Sequence, residues 1–182
     1  PITSFLSDDF FVILDNEEGE ESYGIPDIPI GRITAKSVEE AKNIVDKIIR
    51  YASDMSSPNN ISISPNLADW RNYICFIADD EDNNTHISQA EQLANIVEQK
   101  YPVININKIY LDAYTQQSTP GGQRYPDAKK EINNQINRGA LVVNYTGHGG
   151  EQGLAHERIV EISDINNWNN YYAMPLLVTA TC

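Results

Sequence analysis

Two residues in this chain carry side chains that could cooperate in covalent chemistry, and each follows an apolar run. His148 lies in "GALVVNYTGHGGEQGLAHE", where the run hands over directly to Gly-His-Gly-Gly. Cys182 follows "PLLVTAT". A thiol with an ordinary pKa of about 8.5 is mostly protonated at neutral pH, so it needs help to become a nucleophile. An imidazole beside it can take that proton or stabilise the thiolate, and later protonate a leaving amine. Gly149 and Gly150 suit the same chemistry. They let the backbone approach a scissile carbonyl, and their N–H groups can face a developing oxyanion. Each signal is weak alone, since a histidine among glycines is more often a turn residue and a cysteine after an apolar strand is more often core. Their joint placement gives them force.

The elements that must position this pair are legible as alternating patterns. "NYICFIA" (72–78), "VININKIYL" (103–111), "ALVVNY" (140–145) and "PLLVTA" (175–180) read as buried strands. Residues 37–53, 88–99 and 126–139 read as helices from apolar positions spaced three and four apart, with Ser37/Glu40 and Ser88/Glu91 as capping boxes and Gly139 as a C-terminal stop. A short helix is expected around "SDINNW". Strands alternating with helices predict an α/β fold with a mostly parallel sheet flanked by helices. Near-continuous apolar strands predict cover on both faces. Catalytic groups collect at the carboxyl ends of such strands, and the acidic loop 79–84, His148 and Cys182 all sit at such ends. Neighbouring parallel strands lie ~5 Å apart, which brings a thiol and an imidazole within cooperative reach.

The remaining stretches predict less. "FFVIL" (10–14) and "IPIGRI" (28–33) look strand-like; residues 15–24, 55–70 and 115–126 read as loops. The stripe of the 37–53 helix is expected to pack on a core. A possible N-terminal subdomain, 1–70, precedes a catalytic core, 71–182, within part of one domain. The formal net charge of −13 argues against nucleic acid as a partner. No basic-then-apolar leader is present, and the start, without Met, reads like the middle of a longer chain. Cys75, inside "NYICFIA", reads as a small buried core residue.

"NYTGHGG", followed by an apolar strand ending in "TATC", resembles the caspase-like clan of cysteine peptidases, and more closely the gingipain family. "IADDEDNNTHISQAEQLA", "TPGGQRYPDA" and "MPLLVTATC" resemble the sortase-type members of that family in type IX secretion. The resemblance implies a caspase-like fold, incomplete here because the chain ends at the candidate nucleophile where such domains continue. It implies His148 as base and acid, Cys182 as nucleophile, and the Gly149 and Cys182 amides as oxyanion donors. It further implies an enzyme at the outer-membrane surface of a Bacteroidetes-type bacterium. Such an enzyme removes C-terminal sorting domains from secreted cargo and passes the acyl group to an amine on lipopolysaccharide. Its partners would be the cargo and outer-membrane secretion-complex proteins.

A carboxylate orienting the histidine is also a family feature, with Asp79 and Asp80 as candidates against the alternative of a solvated acidic loop. Asp80, Asp82 and Asn84 alternate like the first ligands of an EF-hand, without its Gly and distal Glu, so calcium is an expectation while no cofactor is required. His86 is expected to hydrogen-bond near the start of the next helix. His148, Glu151, His156 and Glu157 can be read as a zinc set, but "GGEQGLA" is not the rigid helix on which zinc hydrolases usually place ligands. The competing functions are an inactive caspase-like binding module and a metal-dependent hydrolase.

Overall fold

The structure, a computed structural model, describes residues 8–16, 24–52 and 69–181. The chain divides into two units, residues 1–52 and 53–182. In the first, helix α1 spans Val38–Ala52. Ser37 Oγ accepts the Glu40 N–H at 3.1 Å, and Glu40 Oε2 accepts the Lys36 N–H at 2.7 Å, so the Ser37/Glu40 pair caps the helix one residue out of the usual reciprocal pattern. In its apolar stripe, expected to pack on a core, Ile48 and Ile49 are 52% and 58% exposed. Residues 10–14 and 28–33 are not strands. Asp9–Phe11 form a 3₁₀ turn. The Asp27 N–H donates to the Val12 carbonyl at 2.8 Å, and the Leu14 N–H donates to the Asp27 carboxylate, so side-chain bonding stands where a ladder would. Most of the expected loop 15–24 and all but the end of 55–70 lie outside the described residues.

In the second unit, β1 (Tyr73–Ala78) leads into α2 (Glu81–Lys100), then β2 (Asn105–Tyr110). The hairpin β3 (Gln117–Thr119) and β4 (Gly122–Arg124) precedes α3 (Pro126–Arg138) and β5 (Val142–Thr146). Three two-residue strands follow, β6 (Gly149–Gly150), β7 (Gly153–Leu154) and β8 (Val160–Glu161), then α4 (Ile162–Asn167) and β9 (Leu176–Ala180). The main sheet has the order β2-β1-β5-β9, all parallel. This is the α/β architecture expected from the alternation of patterns.

The middle of this sheet is covered on both faces. Cys75 and Ile77 of β1 and Val143 and Tyr145 of β5 form one buried cluster with Ala128, Ile132 and Ile136 of α3. The intervening Phe76 and Ala78 are buried too. β9 departs from the expectation: it is an edge strand, and Leu176 and Leu177 are 60% and 43% exposed. The expected loop 115–126 holds a hairpin, whose Thr119 and Gly122 pair around the Pro-Gly turn. No helix among the described residues is long and apolar enough to cross a membrane.

α2 begins earlier than its pattern predicts. Asp82, Asn83 and Asn84 are all left-handed, with φ of 53°, 56° and 60°. Asx residues are the non-glycine types that best tolerate this region, because their short side chains bond locally. Ser88 is therefore inside the helix and caps nothing. Its supposed partner Glu91 instead accepts from Lys108 Nζ at 2.7 Å and Tyr110 Oη at 3.0 Å, both on β2.

Candidate active site

Sheet register brings three chain segments to one level. Ala78 pairs with Thr146, and Thr146 with Ala180. Asp79, Gly147 and Thr181 thus leave three adjacent strands together. The Gly147 N–H donates to the Ala180 carbonyl at 3.2 Å, which extends the contact one step past the strands.

Asp79 is the centre of the cluster. Its side chain is fully buried, a costly position for a carboxylate unless donors surround it. Four do. Oδ2 accepts the His148 main-chain N–H at 2.6 Å and lies 3.0 Å from His148 Nδ1. The Tyr145 hydroxyl reaches it at 3.4 Å and donates to the His148 carbonyl at 2.6 Å. Oδ1 meets His86 Nδ1 at 2.5 Å. Burial pushes the Asp79 carboxyl up, but the His148 N–H, the two imidazoles and the His86 charge together hold it below its ordinary value. An ionised carboxylate only accepts, so His148 Nδ1 carries the proton and Nε2 is left as acceptor. Nε2 lies 3.5 Å from the Asp82 carboxylate.

Asp80 turns elsewhere. Its Oδ2 accepts the Tyr125 hydroxyl at 2.6 Å, and Oδ1 is buried without a partner. The hydrogen bonds to His148 therefore come from Asp79, one residue before it. Asp80 and Asp82 face Tyr125 and His148 respectively, which is not the convergent oxygen set that calcium takes. Asn84 lies in the left-handed turn.

Gly147 makes the close approach possible. A Cβ there would lie 2.6 Å from Asp79 Oδ2 and 2.5 Å from the Tyr145 hydroxyl. Gly147→Ala is expected to push Asp79 or Tyr145 out of place, to cost roughly 1–3 kcal/mol, and to remove any activity that needs the Asp79–His148 bond. Denaturant midpoints and rates measured on the same preparation check this. Gly149 has a different neighbour: a Cβ on it would lie 2.8 Å from Thr181 Oγ1. The residue before Cys182 thus packs against the residue after His148. Cys182 itself lies outside the described residues.

The glycines after His148 are a small sheet rather than an open loop. Gly149 pairs with Leu154 and Gly150 with Gly153, and β7 pairs with β8. The Ala155 N–H donates to the His148 carbonyl at 2.8 Å. Ala155 and Arg158 take left-handed φ of 59° and 56°, and between them the chain carries His156 back over His148. Their rings stack at 5.0 Å between centroids, and His86 meets His148 edge-on at 4.9 Å.

Peptidase family C25 matches the chain over residues 1–182. The chain belongs to this family. No curated protein matches it. Two solved structures share its fold. One is the crystal structure of the Arg-specific cysteine proteinase gingipain R (RGPB), at TM-score 0.62 and 23% identity, covering 86% of this chain and 32% of that one. The other is the complex of Porphyromonas gingivalis RgpB pro- and mature domains, at TM-score 0.61 and 23% identity, covering 84% and 32%. The chain thus spans about a third of the gingipain chains it matches.

In this C25 chain one cysteine is placed in the core. Cys75 is fully buried on β1. Burial and the Glu131 charge push its thiol up to about 12, so it is an inert core residue. The zinc set read from sequence is only partly assembled. His156 approaches His148, but its Nδ1 meets Glu81 Oε2 at 2.6 Å. Glu157 is buried and accepts from Gln116 at 3.2 Å, and burial pushes its carboxyl up. His86 and Glu81 were not readable as members of the cluster. Their only sequence signal is the Asx run between them, which turns the head of α2 back over β5.

The His148 imidazole is raised above its ordinary 6.5, first by the Asp79 hydrogen bond, with burial opposing and the charges of Asp79, Glu81 and Asp82 adding. The acid limb of a pH–rate profile that needs neutral His148 is therefore expected above pH 6.5. The same shift stabilises the fold fully below 6.5 and is lost as pH rises through the higher folded value. A limb at or below the ordinary histidine value would contradict the assignment.

Proposed function

We propose that this chain carries the base and nucleophile of a cysteine peptidase that acts as a cell-surface sortase of the PorU type. The observation that carries the reading is the level alignment of Asp79, His148 and Thr181, the residue before Cys182, at the ends of three adjacent parallel strands. His148 Nε2 takes the Cys182 thiol proton. The thiolate sulfur attacks the scissile carbonyl carbon, and the oxyanion is met by the Gly149 and Cys182 amides. As the C–N bond breaks, His148 returns the proton to the leaving amine, which departs with the sorting domain. The acyl group remains on Cys182 as a thioester. An acceptor amine then attacks, loses its proton to His148 and restores the thiol.

The sorting role rests on the sequence resemblance. Cargo bearing a C-terminal sorting domain is the substrate, lipopolysaccharide supplies the amine, and the outer-membrane surface is the location. The test is to mix the full-length protein with such a cargo and a soluble primary amine. A cargo–amine adduct that rises with amine concentration, and vanishes in Cys182→Ala, supports transpeptidation. Hydrolysis alone at every amine concentration reduces the reading to a peptidase. Unchanged cleavage in Cys182→Ala with loss on chelation points to a metal-dependent hydrolase, and no cleavage with no labelling by a peptidyl acyloxymethyl ketone points to a binding module.

A further inference from the structure

We propose that Nδ1 of His148, Nδ1 of His156 and Oε2 of Glu81 form a binding site for a borderline transition metal such as zinc, and that the metal switches His148 out of its basic form. The inference rests on the reading of His148 as the base and adds a regulatory ligand to that site. Glu81, His148 and His156 each offer one ligand atom, and these atoms lie within 4.8 Å of one another. Glu81 Oε2 is 2.6 Å from His156 Nδ1 and 3.6 Å from His148 Nδ1. Tetrahedral zinc with bonds of about 2.0–2.1 Å sets its ligand atoms about 3.3 Å apart. The two separations from Glu81 Oε2 bracket that value.

The donor chemistry selects the metal class. Two imidazoles and one carboxylate suit zinc or copper, whereas calcium and magnesium take oxygen. The chain has three histidines, and all three meet here, since the rings of both His86 and His156 lie within 5.0 Å of that of His148. Asp79 and Asp82, at 3.0 and 3.5 Å from the two His148 nitrogens, add negative charge that favours a dication. Each ligand comes from a different element: Glu81 from the head of α2, His148 from the end of β5, and His156 from the β7–β8 connection.

The consequence for catalysis follows from the tautomer. In the metal-free site His148 holds its proton on Nδ1, facing Asp79, and keeps Nε2 as acceptor. A metal on Nδ1 takes the proton's place there. The neutral ring then carries its one proton on Nε2. Nε2 becomes a donor and cannot accept the Cys182 thiol proton. Asp79 loses the Nδ1 contact but keeps the His148 main-chain N–H and the His86 ring, and chelation reverses the state.

The experiment titrates the full-length protein with zinc chloride by calorimetry, and follows the ¹⁵N-labelled imidazoles by NMR. The same titration is run on His156→Ala, Glu81→Gln and Cys182→Ala. Zinc inhibition is read for His156→Ala and Glu81→Gln against each variant's own metal-free rate, and Cys182→Ala is read by binding alone. The expected result is one zinc bound per chain, with His148 shifting to the Nε2–H form. Binding should weaken by at least ~10²-fold in His156→Ala and Glu81→Gln and persist in Cys182→Ala. Equal affinity in His156→Ala and the parent, binding lost only in Cys182→Ala, or no binding at millimolar zinc would overturn the site. Calorimetry and NMR need no turnover, so a protein that binds zinc as described yet cleaves nothing would refute the peptidase reading and leave the metal site standing.

Discussion

Replacing His148 with Ala is expected to slow cleavage by ~10²–10⁴-fold in the full-length protein, the usual worth of a general base. The protein should stay folded. The ring is partly exposed, and Asp79 would keep the His148-position main-chain N–H and His86 as donors. Thermal unfolding and rate are to be measured together. Parent-level cleavage in a folded His148→Ala protein would remove the histidine from the mechanism. The shared level of Asp79, His148 and Thr181 would then be a feature of the fold alone.

The second large effect is expected from Asp79→Asn. Asn can satisfy both His148 donors with its single oxygen, and it then turns an NH₂ toward His86. His86 can accept that NH₂ by switching tautomer, so the substitution removes a charge more than a hydrogen-bond network. Without the charge, the imidazolium formed during catalysis is less stable, and a rate loss of ~10²–10⁴-fold is expected. The sign of the pH effect is fixed as well. Asp79 raises the His148 pKa, so its loss should move the acid limb to lower pH while the plateau falls. Asp80→Asn keeps an oxygen for the Tyr125 hydroxyl and should leave the limb in place. Equal effects from both substitutions would show that the acidic segment acts only through general charge.

The comparison of these two aspartates shows how far sequence reading reaches. The parallel sheet and its strands were legible because buried β-branched runs separated by helical patterns have few other solutions. His148 was legible because it follows such a run, and the structure sets it beside Asp79. Which of Asp79 and Asp80 faces His148 was not, since adjacent residues at a strand end diverge and only the register with β5 decides between them. Glu81 and His86 were missed as members of the cluster for another reason. Three consecutive left-handed Asx residues fold the head of α2 back, and a pattern search for helical periodicity starts the helix after them. The exposed stripe of α1 and the exposed face of β9 make a further point: apolar patterning says where a face is, but not what covers it.

The central claim is that the Asp79–His148 pair activates Cys182, and the most direct measurement is the alkylation rate of Cys182 as a function of pH in the full-length protein. Mass spectrometry separates it from Cys75, which should remain unmodified because its buried thiol titrates only near 12. The account predicts that Cys182 reacts through a group titrating well below the ordinary thiol value of ~8.5, and that this low-pH reactivity disappears in His148→Ala. A Cys182 that titrates near the ordinary value, with the same profile in the parent and in His148→Ala, would contradict it.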